Sequence, residues 1–409
     1  MLKTILIISS NFTGHGHKSI TESLNEHFKE NNTVKVHVVD GFSLGGKALL
    51  NMAKSYGPIT RNSENLWELI WELSSIRPSF VNEFIELVIE NNFINLLKEV
   101  RPDLILSVHP NFNGSIINIL EKRKINIPLV TLIADLVSIY PLWADPRVNY
   151  IISPTVEAKD KCIEYGVSEE KIKLLGFPVR SRFQKPTEVL DEYNDYNTDT
   201  PLRCLIMSGG EGVGNMKKIA EILLNNFNCT VKIVAGRNTR LRNRLQQSLG
   251  EKYGDKVEIY GFLENIQDLM LSCDIAITRG SPNVMMEAIA CNLPLVITGA
   301  LPGQEEGNPE FAEKYNLGVV CEDIKNIKNT ISDLLSNNAE KLNKIKDSQR
   351  NYNDPNVSKN IVNFLLNIEN NSNFIISPID FDSLETTSNT ILDKHLKKIK
   401  LPILNKSKY

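Results

Sequence analysis

Four short segments of this 409-residue chain gather residue types that do chemistry, and each follows an apolar run of strand length. Thr13-Gly14-His15-Gly16-His17 places two glycines before a histidine that opens a helical stretch. Glycines let a backbone approach a ligand, and an imidazole takes a proton near neutral pH; the same histidine also suits a helix cap. Ser208-Gly209-Gly210-Glu211-Gly212-Val213-Gly214 offers backbone N–H groups ahead of a helix, an arrangement that suits a diphosphate. No Gly-Lys-Ser/Thr follows it, which excludes a Walker A loop. Thr278-Arg279-Gly280-Ser281-Pro282-Asn283 leads into another helix, with Pro282 in the first turn and Arg279 near an N-terminus fit for an anion. Glu287, one turn inside, can accept two hydrogen bonds from ribose hydroxyls, and an acid near a helix N-terminus is also stabilising on its own. Leu301-Pro302-Gly303-Gln304-Glu305-Glu306-Gly307-Asn308 packs amides, carboxylates and glycines into a turn that supplies paired donors and acceptors for sugar hydroxyls.

These loops need a scaffold that brings them together. Short apolar runs alternate with amphipathic helical stretches, the pattern of βαβ units and parallel sheets. Strands are expected at 4–9, 34–40, 104–108, 129–134 and 150–153, and again at 203–207, 231–235, 257–260, 274–278, 295–297 and 318–320. Ile20, Leu24 and Phe28 recur every four residues and mark one apolar helix face. The polar, turn-rich stretch around Glu188–Pro201 reads as a linker. The expected organisation is an N-terminal Rossmann-like domain over 1–187, a linker over 188–201, a C-terminal Rossmann-like domain over 202–369 and a low-complexity tail over 370–409. Open α/β sheets bind ligands beyond the carboxyl ends of their strands, so two such domains face each other across a cleft.

Composition narrows the classes. A net charge of −3, with 42% hydrophobic and 23% charged residues, is ordinary for a soluble protein and gives no sign of nucleic-acid binding. The six cysteines are scattered without a C-x-x-C pair, which argues for reduced thiols and against a zinc site. No apolar run approaches the roughly 20 residues that span a bilayer, so contact with a membrane would be peripheral. The last sixteen residues carry six lysines and no acid, which reads as a solvated end or an anionic-lipid contact.

The ordered set of motifs resembles the monogalactosyldiacylglycerol synthase and diacylglycerol glucosyltransferase group of GT-B glycosyltransferases, across about residues 4–365. It comprises G-H-G-H-K-S at 14–19, R-P-D-L-I-L-S-V-H-P at 101–110, T-L-I-A-D-L at 131–136 with Trp143 beyond, and G-F-P-V-R at 176–180. It continues through S-G-G-E-G-V-G at 208–214, A-G-R-N at 235–238, G-F at 261–262, D-I-A-I-T-R-G-S-P-N-V-M-M-E-A and L-P-G-Q-E-E-G-N. The resemblance implies an inverting, metal-independent hexosyl transfer from a UDP-sugar, used as substrate rather than cofactor, to diacylglycerol or a related lipid. By the same resemblance Gly209 and Gly210 belong to the diphosphate loop and Glu287 is the ribose-binding acid. Phe262 with Gly261 forms the wall near the uracil, and Gln304 with Glu305 reads the hexose. Arg279, Ser281 and Asn283 complete the donor set, while His17 and Asp135 are alternative general bases.

Trp67 and Trp71, four apart on one helical face, and His109 are assigned to the acceptor or membrane side. The expected location is cytoplasmic, at the inner face of the cell membrane and against an anionic lipid surface. This chain departs from the usual Gly-Gly-Gly-His, reading Gly-His-Gly-His, and from Lys-x-Gly-Gly/Pro, reading Arg279-Gly280-Ser281-Pro282-Asn283. A UDP-sugar 2-epimerase and a non-catalytic UDP-sugar-binding protein fit the same architecture, and the altered 279–283 segment favours the latter.

Overall fold

The computed structural model describes residues 2–11, 13, 16–62, 67–68, 71–72, 76–184, 195–207, 215–368 and 379–386. Two six-stranded sheets, all of whose described pairings are parallel, carry the molecule. The first contains β1 (Lys3–Ser9), β2 (Val34–Asp40), β3 (Leu104–Ser107), β4 (Leu129–Leu132), β5 (Tyr150–Ser153) and β6 (Ile172–Leu174), in the order β2-β1-β3-β4-β5-β6. The second contains β7 (Leu202–Met207), β8 (Cys229–Val234), β9 (Val257–Tyr260), β10 (Ile275–Thr278), β11 (Leu295–Ile297) and β12 (Gly318–Val320), in the order β9-β8-β7-β10-β11-β12. That second order is the doubly wound Rossmann arrangement, while the first follows the flavodoxin-like order. The switch points fall between β1 and β3 and between β7 and β10, so the loops after those strands line the crevices.

Both sheets are covered by helices, which is why their central strands are apolar throughout rather than alternating. Ile5, Leu6, Ile7 and Ile8 of β1 are fully buried, as are Ile20 and Leu24 of helix Gly16–Phe28 above them. The expected strands all form; β6 is an addition that three residues, only one of them buried, gave little means of foreseeing.

Packing revises the expected segmentation at three places. Tyr196, placed in the linker, is buried in the second core and exchanges hydrogen bonds with Asn343 (2.9 and 3.2 Å). Helix Val357–Leu366, placed in the C-terminal domain, packs on helix Gly16–Phe28 and joins the first core. The Lys3 ammonium donates to the carbonyls of Leu365, Leu366 and Ile368 (2.8–2.9 Å), holding the end of that helix, where the last carbonyls lack intrahelical partners. In the tail, Ile379, Phe381 and Leu384 pack against the first core and Asp382 pairs with Arg101 (2.8 Å). The tail lysines and residues 185–194 lie outside the described residues. All six cysteines are buried and free.

Candidate active site

The cleft between the halves holds a cavity of about 620 Å³. His17 and Asp135 enter it from the first domain; Phe262, Ser281, Asn283, Glu287, Gln304 and Glu305 enter from the second. Gly209 and Gly210 lie outside the described residues. A smaller, largely apolar chamber of about 210 Å³ adjoins the cavity, lined in part by Phe42, Ile59, Trp67, Trp71, Tyr140 and Trp143. Thr13, His17, Asp135 and Gln304 line both spaces, so the candidate proton acceptors stand at their junction.

His17 follows β1 at the start of helix Gly16–Phe28. Its Nδ1 lies 2.6 Å from the Val108 carbonyl, which can only accept, so Nδ1 carries the proton and Nε2 keeps its lone pair. Burial pushes its pKa down to about 4, so the ring is neutral at pH 7. His109, after β3, packs 4.5 Å from it. The Asn111 N–H donates to His109 Nδ1 (3.3 Å), which assigns the ring proton to Nε2 and makes it the donor to Thr13 Oγ1 (3.0 Å). Burial and the neighbouring His17 hold its pKa well below the usual histidine value.

Asp135 follows β4 and is 4% exposed. The Trp143 indole N–H donates to Oδ2 (2.7 Å), and the Gln304 amide donates across the cleft to Oδ1 (3.1 Å). Burial raises its pKa to about 6; the two hydrogen bonds oppose that rise and the Glu305 charge adds to it.

Glu287, on helix Pro282–Ala290, is 7% exposed. Its Oε1 accepts from Arg180 Nη2 (2.7 Å) and Ser19 Oγ (3.0 Å), both from the other half. Arg180 also holds Glu22 of the first helix (3.0 Å). Burial raises the Glu287 pKa, with Arg180 pulling the other way. Asn283 presses against Gly16, where a Cβ would lie 2.2 Å from the Asn283 amide nitrogen. The second glycine of Gly-His-Gly-His therefore lets the two halves approach.

Two assignments are corrected by this geometry. Arg279 does not line the cavity; its guanidinium lies 3.6 Å from Glu305. The cations that do line it, among the described residues, are Lys18, Arg180, Arg182 and Arg237. Trp67 and Trp71 do not form an outward membrane face. Both are half-buried around the chamber, and Trp71 packs on Tyr140 (4.6 Å) and on Gly303. Gly303 has φ +75°, and a side chain there would meet the indole at 2.4 Å. Arg180 and Arg237 sit inside motifs legible in the sequence, G-F-P-V-R and A-G-R-N, but their partners are remote. Arg237 lies over the Phe262 ring at 4.3 Å.

Two facing parallel α/β domains with ligand crevices at both switch points define a GT-B fold. Comparison with known proteins matches a different family model to each half. Residues 17–179 match the monogalactosyldiacylglycerol (MGDG) synthase model, and residues 213–337 match glycosyl transferases group 1. A probable monogalactosyldiacylglycerol synthase 2 of Oryza sativa subsp. japonica is 29% identical, over 78% of this chain and 71% of its own. Monogalactosyldiacylglycerol synthase 2 of Arabidopsis thaliana is 27% identical, over 88% and 80%. Among solved structures, Acinetobacter baumannii MurG superposes with a TM-score of 0.59 at 13% identity, covering 89% of this chain and 99% of that one. A UDP-GlcNAc 2-epimerase of Neisseria meningitidis gives 0.57 at 17%, with the same coverages. These two likenesses support the fold alone. The first half thus carries a monogalactosyldiacylglycerol synthase family domain and the second a glycosyl transferases group 1 domain, on a GT-B fold.

Proposed function

We propose that this protein transfers a hexose from a UDP-sugar to the free hydroxyl of diacylglycerol or a closely related membrane lipid, with inversion at the anomeric carbon. The observation that carries this reading is the junction of two unlike spaces. A cavity lined by cations and Glu287 meets an aromatic, apolar chamber at His17 and Asp135. The first suits a nucleoside diphosphate sugar and the second the glycerol end of a lipid.

In this reading Glu287 accepts the ribose hydroxyls, and Gln304 with Glu305 holds the hexose. Asp135 takes the proton of the acceptor hydroxyl, because its pKa of about 6 lies nearer working pH than that of His17. His17, at the same junction, packs beside that hydroxyl and orients it without taking its proton. The lipid oxygen then bonds to the anomeric carbon as the bond to the diphosphate breaks, with its electron pair leaving on phosphate. Arg180, Arg182, Arg237 and Lys18, with the N-terminus of helix Pro282–Ala290, meet that charge.

Among the described residues no helix is long and apolar enough to cross a membrane. Contact with an anionic bilayer, at the cytoplasmic face, falls instead to the exposed Met52 on the chamber wall and to the exposed Ile76 and Phe80 further along the chain. An epimerase has no use for the apolar chamber, which favours transfer.

The test is incubation with UDP-glucose and UDP-galactose separately, in vesicles containing diacylglycerol, followed by mass analysis of the lipids. A lipid heavier by one hexose is the expected product. Epimerised UDP-sugar, or nucleotide binding without any lipid product, would overturn the reading.

A further inference from the structure

The hydrogen bond between Gln304 and Asp135 joins the residue set to read the donor's hexose to the residue set to take the acceptor's proton. It spans the cleft, from the turn after β11 to the loop after β4, and both side chains line both spaces. We propose that Gln304 is a donor-sensing positioning residue: without a hexose its amide N–H is held by Asp135, and a bound hexose draws the amide onto a sugar hydroxyl, freeing the carboxylate to act as a base. This deepens the reading above and rests on Asp135 as the proton acceptor.

The physical reason is the cost of a shared carboxylate. A hydrogen bond donated to a carboxylate stabilises its charged form and weakens it as a base. Asp135 has two such donors, and they differ in kind. Trp143 is fully buried in the same domain and its N–H has no reason to move. Gln304 stands on the opposite domain, in a polar turn that opens to the cavity, at 3.1 Å. Loss of the second donor alone raises basicity while Trp143 keeps the carboxylate oriented. Among the described residues, the ionisable groups around Asp135 include Glu305 beside Gln304, paired with Arg279, and His17, His109 and Tyr140, which line the acceptor chamber with it. The two histidines are neutral at working pH, so neither supplies a charge that would mask the change.

The experiment follows the Asp135 carboxyl by carbon NMR titration in the full-length protein, free, with UDP, and with a non-transferable UDP-hexose analogue. The acid limb of kcat/KM for the lipid at saturating donor is measured alongside. The expected result is a rise of about one pKa unit with the hexose analogue, as for loss of one charge-assisted hydrogen bond. UDP alone should leave the value unchanged. In Gln304→Ala the free protein should already titrate at the raised value, with no further response to the analogue. A wild-type pKa equal in the free and analogue-bound forms, or shifted equally by UDP alone, overturns the switch. Failure of the base assignment is separate: Asp135→Asn would then keep turnover whatever the titration shows.

Discussion

Glu287 on the donor wall and Asp135 on the acceptor wall are both buried carboxylates with raised pKa values, yet Glu287 is held by a guanidinium and Asp135 by neutral N–H groups alone. An arginine at 2.7 Å opposes that rise at Glu287 and fixes its carboxylate in place. A carboxylate surrounded by neutral donors in an apolar setting binds a proton readily. In the proposed reading, the cleft separates recognition from proton transfer by the partner each acid is given. Arg180 adds a structural consequence. It reaches Glu287 from the other domain while anchored on Glu22, so Glu287 is also a point of contact between the halves.

The sharpest way to break the comparison is to exchange the roles. Asp135→Asn keeps the shape and should lower turnover by about 10²–10⁴-fold while leaving UDP affinity unchanged. His17→Ala, measured beside it, should cost less, since an orienting contact is removed rather than the proton acceptor. If the His17 variant loses more activity than the Asp135 variant, the two residues trade roles and the contrast between the carboxylates loses its catalytic meaning.

A second test needs no substrate. The folded pKa of Asp135, about 6, lies above the ordinary 3.8, so the folded protein binds this proton more tightly than the unfolded chain does. Ionised Asp135 therefore costs stability above about pH 6, and the cost fades as pH falls toward 4. Measured as the difference between wild type and Asp135→Asn, denaturant stability should move in favour of the asparagine variant by about 2–3 kcal/mol between pH 4 and pH 8. A difference independent of pH would mean that Asp135 is not the proton-binding acid described here.

On the donor wall, Glu287→Ala should weaken UDP binding by about 10–100-fold, the loss of hydrogen bonds to a charged group, with a smaller effect on the KM for lipid. Calorimetry showing unchanged UDP affinity would remove the recognition half of the comparison.

What the sequence disclosed of this arrangement follows from how local each cause is. Alternating apolar runs and glycine-rich loops are local, so every strand but β6 and the loops that carry His17, Glu287 and Gln304 were readable, while Asp135 came from the ordered motif set. Contacts between distant segments were not. Arg180 sits in a visible motif, but nothing near it in sequence points to Glu287, 107 residues away. Helix Val357–Leu366 follows the second domain in sequence and packs on the first because its apolar face fits helix Gly16–Phe28 and Lys3 holds its end. A tryptophan pair four apart serves a core, a ligand chamber or a membrane equally well by pattern, and only Tyr140 and Gly303 decide that Trp71 faces inward.

The smallest expected effect lies at the rim of the donor wall, where the contrast with the buried carboxylates is greatest. Phe262 is 44% exposed and carries the Arg237 guanidinium at 4.3 Å from its ring centre, both facing the cavity. A cation over an exposed ring contributes about 0.5–1 kcal/mol, and an exposed charge acts on a bound diphosphate through screened solvent. Arg237→Ala should therefore weaken UDP affinity only about two- to five-fold at low ionic strength, and the deficit should shrink in 0.5 M salt as roughly 4 Å screening takes hold. Uridine, which lacks the phosphates, should bind both forms nearly alike. A loss as large as that of Glu287→Ala, or one that salt leaves untouched, would show instead that Arg237 makes a desolvated contact with the nucleotide, and recognition would then extend from the buried acid out to the rim.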